Sequence, residues 1–285
     1  MSSSDINRLK DNSFRLFGIF CTFAGLVVLA IFLFDILIDG ISRINWQFLS
    51  SLPSRKAEKA GILTAIAGTV WLLLLTALIS LPLGVSAGIY LEEYAKKTRL
   101  ASFLEVNIAN LAGVPSIIYG LLGLEIFVRM IGLGGSILAG SLTLSLLILP
   151  IIIVATRESI KAVPKTLCEA SFALGASKWQ TVWHTVLPSS LGGIMTGVIL
   201  ALSRAVGEAA PLIVIGALAY VPFVPSTPMD EFTVLPIQIF NWVSRPQAAF
   251  ITNAASAIII LLAITFIMNG IAVYLRNKWQ KKVRW

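Results

Sequence analysis

Long apolar runs alternate with short polar segments along this chain. The runs lie at 16–38, 62–90, 108–131, 137–156, 190–219 and 249–275. Each is near or above the ~20 residues a helix needs to cross a bilayer core, whereas buried helices of soluble proteins seldom run that far without a charge. The pattern therefore predicts an all-α polytopic membrane protein with about six transmembrane helices. Composition agrees: 57% of residues are hydrophobic and 13% charged, against roughly 45–50% and 25% in soluble domains.

The cationic residues set an orientation. Arg43, Arg55, Lys56, Lys59, Arg129 and Arg245 fall on one side of the six spans, and all other Lys and Arg except Arg204 fall on the other. The positive-inside rule then predicts cytoplasmic N- and C-termini. A net charge of +8 raises nucleic acid as a partner, but the basic residues are scattered over short loops and form no stripe, so nucleic acid is not expected. The densest group, Arg276, Lys278, Lys281, Lys282 and Arg284, follows the last span and is expected to meet membrane lipid headgroups.

Lys10 and Arg15 precede the first run as in a secretory signal, yet the run exceeds a signal h-region and is expected to stay as an anchor. Cys21 and Cys168 lie in different environments and read as packing residues.

No linker or repeat divides the chain. It splits most simply into 1–60, holding the tail, first helix and a charged loop; a five-helix core at 61–275 with a cytoplasmic loop at 157–190; and a basic tail at 276–285. Gly84 with Gly88, and Gly193 with Gly197, allow close helix approach within or between subunits. The segment 221–247 carries five prolines, which forbid one continuous helix, around an apolar stretch that includes Phe232 and Trp242. That stretch either folds back on the bilayer surface or meets an external partner.

Candidate chemistry is sparse. There is one histidine, His184, which reads as a surface residue, and no metal-ligand cluster or phosphate-binding glycine loop. No cofactor is expected on the chain itself. Within the last-but-one span, Arg204 sits near the centre, where insertion costs roughly 2.5–3.5 kcal/mol, so it must face protein or water. Glu208 lies one turn on and can pair with it. Pro211 lacks the N–H that would bond Gly207, predicting a kink. A guanidinium offers planar paired donors to an oxyanion, which makes Arg204 the candidate for an anion pathway, with Glu208 orienting or releasing it. A static pair tying helices together is the competing reading. Glu125 with Arg129, and Asp35, lie near helix ends and read as structural.

The loop from Glu169 to Pro188 holds helix formers, then Gly175, then a second run that Pro188 is expected to end, predicting two short helices meeting at an angle. It exposes Phe172, Leu174, Trp179 and Trp183, as a surface awaiting a partner would. This loop resembles the EAA motif of ABC importer permeases through Glu169, Ala170, Gly175, Leu187 and Pro188, with Ser171 in place of the second alanine and Thr185 in place of the usual isoleucine. The resemblance implies a type I importer permease fold and a coupling helix seated on a separate ATPase, with Glu169 as polar contact.

The segments Arg204–Leu212, Gly113–Ile117, Ile89–Tyr94 and Phe232–Trp242 further resemble the PstA-type permeases of bacterial phosphate importers, over the chain from about Gly61 onward. Ala209 departs from the family's Gly-Glu-Thr-Ala-Pro. The resemblance implies inorganic phosphate as cargo, a location in the bacterial inner membrane, and a PstC-type permease as heterodimer partner. It also implies two PstB-type ATPase subunits that bind ATP and magnesium, an external phosphate-binding protein of PstS type, and a role in transport for Arg157. An ABC permease for another oxyanion or small solute, and a secondary transporter working without ATP, remain the alternatives.

Overall fold

The computed structural model describes residues 3–96, 98–217 and 220–280. Among these residues the regular structure is helical, with one isolated bridge between Ser136 and Glu231. Helix α1 spans Ser3–Ile41, α2 Trp46–Ser50, α3 Leu63–Ile89, α4 Arg99–Leu111, α5 Ser116–Gly123 and α6 Ile137–Lys161. Then follow α7 Lys165–Ala173, α8 Lys178–Thr181, α9 Leu187–Val206, α10 Ala210–Val214, α11 Leu235–Val243 and α12 Ala249–Gln280. Five helical stretches are long and apolar enough to cross a membrane: Lys10–Ile41, Leu63–Tyr94, Ile137–Lys161, Lys178–Val206 and Ala249–Lys278. The pair α4 and α5 makes a sixth if counted as one broken span.

Helix α6 is the axis of the bundle, because small residues on both neighbours let it be approached from two sides. A side chain at Gly84 would meet Ile152 at 2.7 Å, and one at Gly88 would meet Thr156 at 2.6 Å. Gly193 and Gly197 rest in the same way on Ser159 and Ala155. Both glycine pairs thus act within the chain, and a leucine at Gly88 would force α3 off α6. Hydroxyls add a polar seam: Ser141 Oγ donates to Leu72 O and Ser145 Oγ to Thr76 O, each at 3.3 Å.

Helix α1 is peripheral. Its apolar window has no buried residue, and it meets the rest of the chain chiefly along α12, where Gly40 packs on Ala255 and Ser256. That contact brings the start of α1 and the end of α12 to one end of the bundle, the tail end. The opposite, far end is closed by the proline-rich segment. Phe232, Leu235, Ile237 and Trp242 are buried in the chain's own core, so this stretch folds back on the bundle; Pro236 sits in the first turn of the nine-residue α11 and the other prolines flank it. Ile137 N–H donates to Asp230 O and Leu138 N–H to Pro228 O, tying the segment to the start of α6. The Thr227 hydroxyl and the Ser226 and Thr227 amides donate to the Asp230 carboxylate and hold its pKa down at about 2.

Three sequence expectations need correction. The run at 108–131 is not one helix: α4 and α5 meet at 105° across Ala112–Pro115, because proline disfavours α-helical geometry in the residue before it. The run at 190–219 stops at Val206 and restarts at Ala210, so Pro211 does not kink a continuous helix but occupies the first turn of α10, where its missing N–H costs nothing. Pro188 does not end the second coupling helix either. A π turn at Val182–Val186, with Leu187 N–H bonded to Val182 O, carries α8 into α9 and makes room for the ring. Residues 218, 219 and 281–285, including Lys281, Lys282 and Arg284, lie outside the described residues.

Candidate translocation and coupling sites

The contacts of Gly193 with Ser159 and Gly197 with Ala155 define an antiparallel register between α9 and α6. Continued along α9, that register sets Arg204 level with Ile148, near the midpoint of α6. Helix α9 therefore ends halfway through the bundle, and its last turn carries Arg204. The unpaired carbonyls of a helix C-terminus favour a cation there. Arg204 Nε donates to Glu208 Oε1 at 3.3 Å, while its two terminal amino groups have no acceptor among the described residues. The Arg204 side chain is 39% exposed and Glu208 17%. One turn below, Leu200 is exposed on the same face, so among the described residues this stretch of α9 is left open.

The other break packs against this one. A side chain at Gly120 of α5 would meet the Pro211 backbone at 2.7 Å, so the two interrupted helices touch where each is weakest. Tyr119 is buried and its hydroxyl donates to Leu111 O at 2.8 Å, bracing the α4–α5 elbow. Non-helical backbone at membrane depth is tolerated only where it is buried in protein or lines a cavity.

Arg157 lies nine residues from Ile148 along α6, about 14 Å of helix rise, so it and Arg204 are not brought together. It sits instead in a tail-end ionic cluster. One terminal amino group contacts Glu105 Oε1 at 2.9 Å and Glu92 Oε2 at 3.3 Å, and the side chain is only 10% exposed. Lys161 adds contacts to Glu158 at 2.9 Å and Glu92 at 3.9 Å. The cluster joins α4, α6 and the π turn at Tyr90–Tyr94 that continues α3, around a cleft of about 380 Å³. Because α4 has no buried residue of its own, the Glu105–Arg157 pair is a principal tether for it.

At the same end, α7 and α8 meet at Gly175, whose φ of +84° is left-handed and suits glycine. Ala176 N–H reaches Ser171 O and Gly175 N–H reaches Phe172 O, closing α7. Ser177 and Gln180 form a reciprocal cap that starts α8. Ser171, the departure from Glu-Ala-Ala, places its hydroxyl 3.0 Å from that of Thr181 and locks the elbow. Glu169, Ala170 and His184 are exposed, Leu174 is 90% exposed, and Trp179 stacks on Trp183 at 5.5 Å. Leu187 and Pro188 are half-buried where the elbow enters α9. Lys178 lies over the Tyr94 ring and joins the elbow to the end of α3. Cys168 is partly buried, and burial together with Glu93 raises its pKa, which keeps the thiol protonated.

Sequence reasoning missed Glu105 as a partner of Arg157, and Arg43, which braces the first loop; both pair with residues distant in the chain. Glu125 and Arg129 do pair, at 3.1 Å, and both are exposed.

An α-helical membrane subunit with a mid-depth helix break and a projecting apolar elbow has the build of an ABC importer permease. The chain belongs to the family of binding-protein-dependent transport system inner membrane components, whose profile matches residues 80–281. It is 34% identical over 265 residues to the probable ABC transporter permease protein YqgI of Bacillus subtilis (strain 168), covering 88% of this chain and 90% of that one. It is 33% identical over 250 residues to the phosphate transport system permease protein PstA of Yersinia pestis, covering 87% and 83%. Among solved structures, a bacterial alginate ABC transporter in complex with its substrate-loaded periplasmic protein matches with a TM-score of 0.68 at 14% identity, covering 96% of both chains. The inward-facing MetNI methionine transporter matches with a TM-score of 0.59 at 19% identity, covering 77% of this chain and 94% of that one. These two likenesses bear on the fold. Membership of the family implies an ATPase and a binding protein as partners in general.

Proposed function

We propose that this chain is the PstA-type half of a phosphate importer of the bacterial inner membrane, with its tail end cytoplasmic. The observation that carries the reading is Arg204: a guanidinium at mid-depth, with paired donors that have no acceptor and a stretch of helix face left open among the described residues. Such a group cannot face lipid, so a second permease of PstC type and a water-filled path cover it. Its fork of donors suits an oxyanion, and the PstA relatives point to phosphate. Glu208 holds Arg204 in place between transport events. Of two PstB-type ATPases, binding ATP and magnesium, one grips the elbow through Glu169, Ala170 and the exposed Leu174, and Gly175, Leu187 and Pro188 give that elbow its shape. A PstS-type binding protein delivers phosphate at the far end. Closure of the ATPases moves the elbow, and because α8 runs unbroken into α9, the movement reaches Arg204 along one helix.

The test is phosphate uptake by proteoliposomes holding the four components. ATP-dependent uptake in wild type, lost in Gly175→Leu with all subunits still assembled, is the expected result. Uptake of another oxyanion in place of phosphate would overturn the substrate. Uptake that follows an ion gradient without ATP would overturn the machinery.

A further inference from the structure

The far end of the bundle holds an open pocket of about 720 Å³ lined by Arg55, Lys56, Lys59, Arg245 and Tyr220. Under the topology proposed above this end faces outward, where the positive-inside rule disfavours cations. Six Lys and Arg fall there: Arg43, Arg55, Lys56, Lys59, Arg129 and Arg245. Arg129 is paired with Glu125, and four of the remaining five converge on this one pocket.

The fifth builds it. Arg43 donates to the Ala57, Glu58 and Ala60 carbonyls through one amino group, to Gln47 through the other, and to Asn253 through Nε. The buried Asn253 in turn donates to Ala57 O at 2.9 Å. The backbone of 57–60 is thereby wrapped around Arg43 while Arg55, Lys56 and Lys59 line the pocket. Across it, the Arg245 guanidinium lies 4.4 Å from the centre of the buried Phe250 ring, and its Nε donates to Asn241 at 3.2 Å. No ion pair engages any of the four lining cations among the described residues. Glu58 shares the turn but does not line the pocket, and the Asp230 carboxylate is occupied by its own loop.

We propose that this pocket is the docking face for a carboxylate-bearing surface of the external binding protein. The inference rests on the importer reading. Its volume is that of a site for a drug-sized group, roughly 300–1,000 Å³, and far exceeds a single tetrahedral anion. Exposed cations hold a lone ion weakly, but several of one sign on a braced frame steer and orient a partner of opposite charge.

Docking is read directly, as the affinity of the complete permease–ATPase complex in nanodiscs for the phosphate-loaded binding protein across a salt series. Replacing Arg55, Lys56 and Lys59 together by Glu should weaken docking about 10-fold or more at low salt, with the gap closing as salt screens the charges. The triple Gln variant should fall between, and ATPase activity without binding protein should not change. Unaltered docking in both variants, or a loss that salt does not narrow, would overturn the proposal. So would binding of inorganic phosphate alone to the complex that Arg245→Gln abolishes, since the pocket would then be an anion vestibule. A complex that docks the protein in a salt-dependent way yet transports no phosphate would leave this inference standing and remove the substrate reading.

Discussion

Two arginines within one bundle have opposite surroundings. Arg157 is nearly enclosed and lies between two carboxylates on two other elements. Arg204 is more open, has one carboxylate, from Glu208 in the break that follows α9, and keeps its terminal amino groups free. A buried guanidinium whose charge is balanced by two protein carboxylates holds elements together, even though Arg157 Nε itself has no hydrogen-bond partner among the described residues. One with spare donors at a depth where lipid is forbidden can serve a passing anion. On the proposed reading the difference gives transport chemistry to Arg204 and architecture to Arg157, and each prediction strains that assignment.

The largest effect is expected from Arg204→Gln. Charge-assisted hydrogen bonds contribute roughly 1.5–3 kcal/mol, so phosphate uptake should fall about 100-fold while subunit assembly is retained. Uptake near wild type would return Arg204 to a structural role. Arg204→Lys is expected to be milder, about a 10-fold loss, because the charge survives while the bidentate fork does not. A lysine variant as inactive as glutamine would show that geometry outweighs charge.

Arg157→Gln should act through stability. It leaves Glu92 and Glu105 facing each other with only Lys161, 3.9 Å from Glu92, as counter-charge, a loss of roughly 1–3 kcal/mol given that Glu105 is a third exposed. The expected signs are a lower melting temperature in detergent and reduced yield, with uptake per assembled complex within about threefold of wild type. Adding Glu92→Gln and Glu105→Gln should restore much of the stability. A fully stable Arg157→Gln complex with uptake abolished would place Arg157 in the anion path and collapse the contrast.

How visible this contrast was from sequence depends on distance along the chain. Arg204 and Glu208 are one helical turn apart, and their pairing follows from spacing alone. Arg157 gave no such sign, since Glu92 and Glu105 come from the π turn after α3 and from α4 and meet it only through tertiary packing. The spans were legible because hydrophobicity integrates over twenty residues. Their interruptions were not, because a break depends on one or two positions: Pro115 ends a run that reads as continuous, while Pro188 sits inside a helix that a π turn accommodates. The elbow was legible as an element through Gly175 and the exposed tryptophans, and Ser171 proved to be a clasp where only a mild replacement was expected.

The smallest effect is expected from Glu208→Gln, and it bears most directly on the competing reading of Arg204. Glutamine keeps an oxygen that can accept from Arg204 Nε at a similar distance, but it removes the negative charge that competes with an anion for the same guanidinium. If Arg204 serves phosphate and Glu208 only holds it ready, uptake should stay within about threefold of wild type, since a neutral acceptor preserves roughly half the strength of the bond. If the two charges instead form a static tie between helices, its ionic part is what counts, either neutralisation removes that part, and Glu208→Gln should lose as much uptake as Arg204→Gln. Uptake of the two variants, measured side by side with ATPase assembly as the control, therefore separates an anion ligand from a strut: unequal losses favour the ligand, and equal losses the strut.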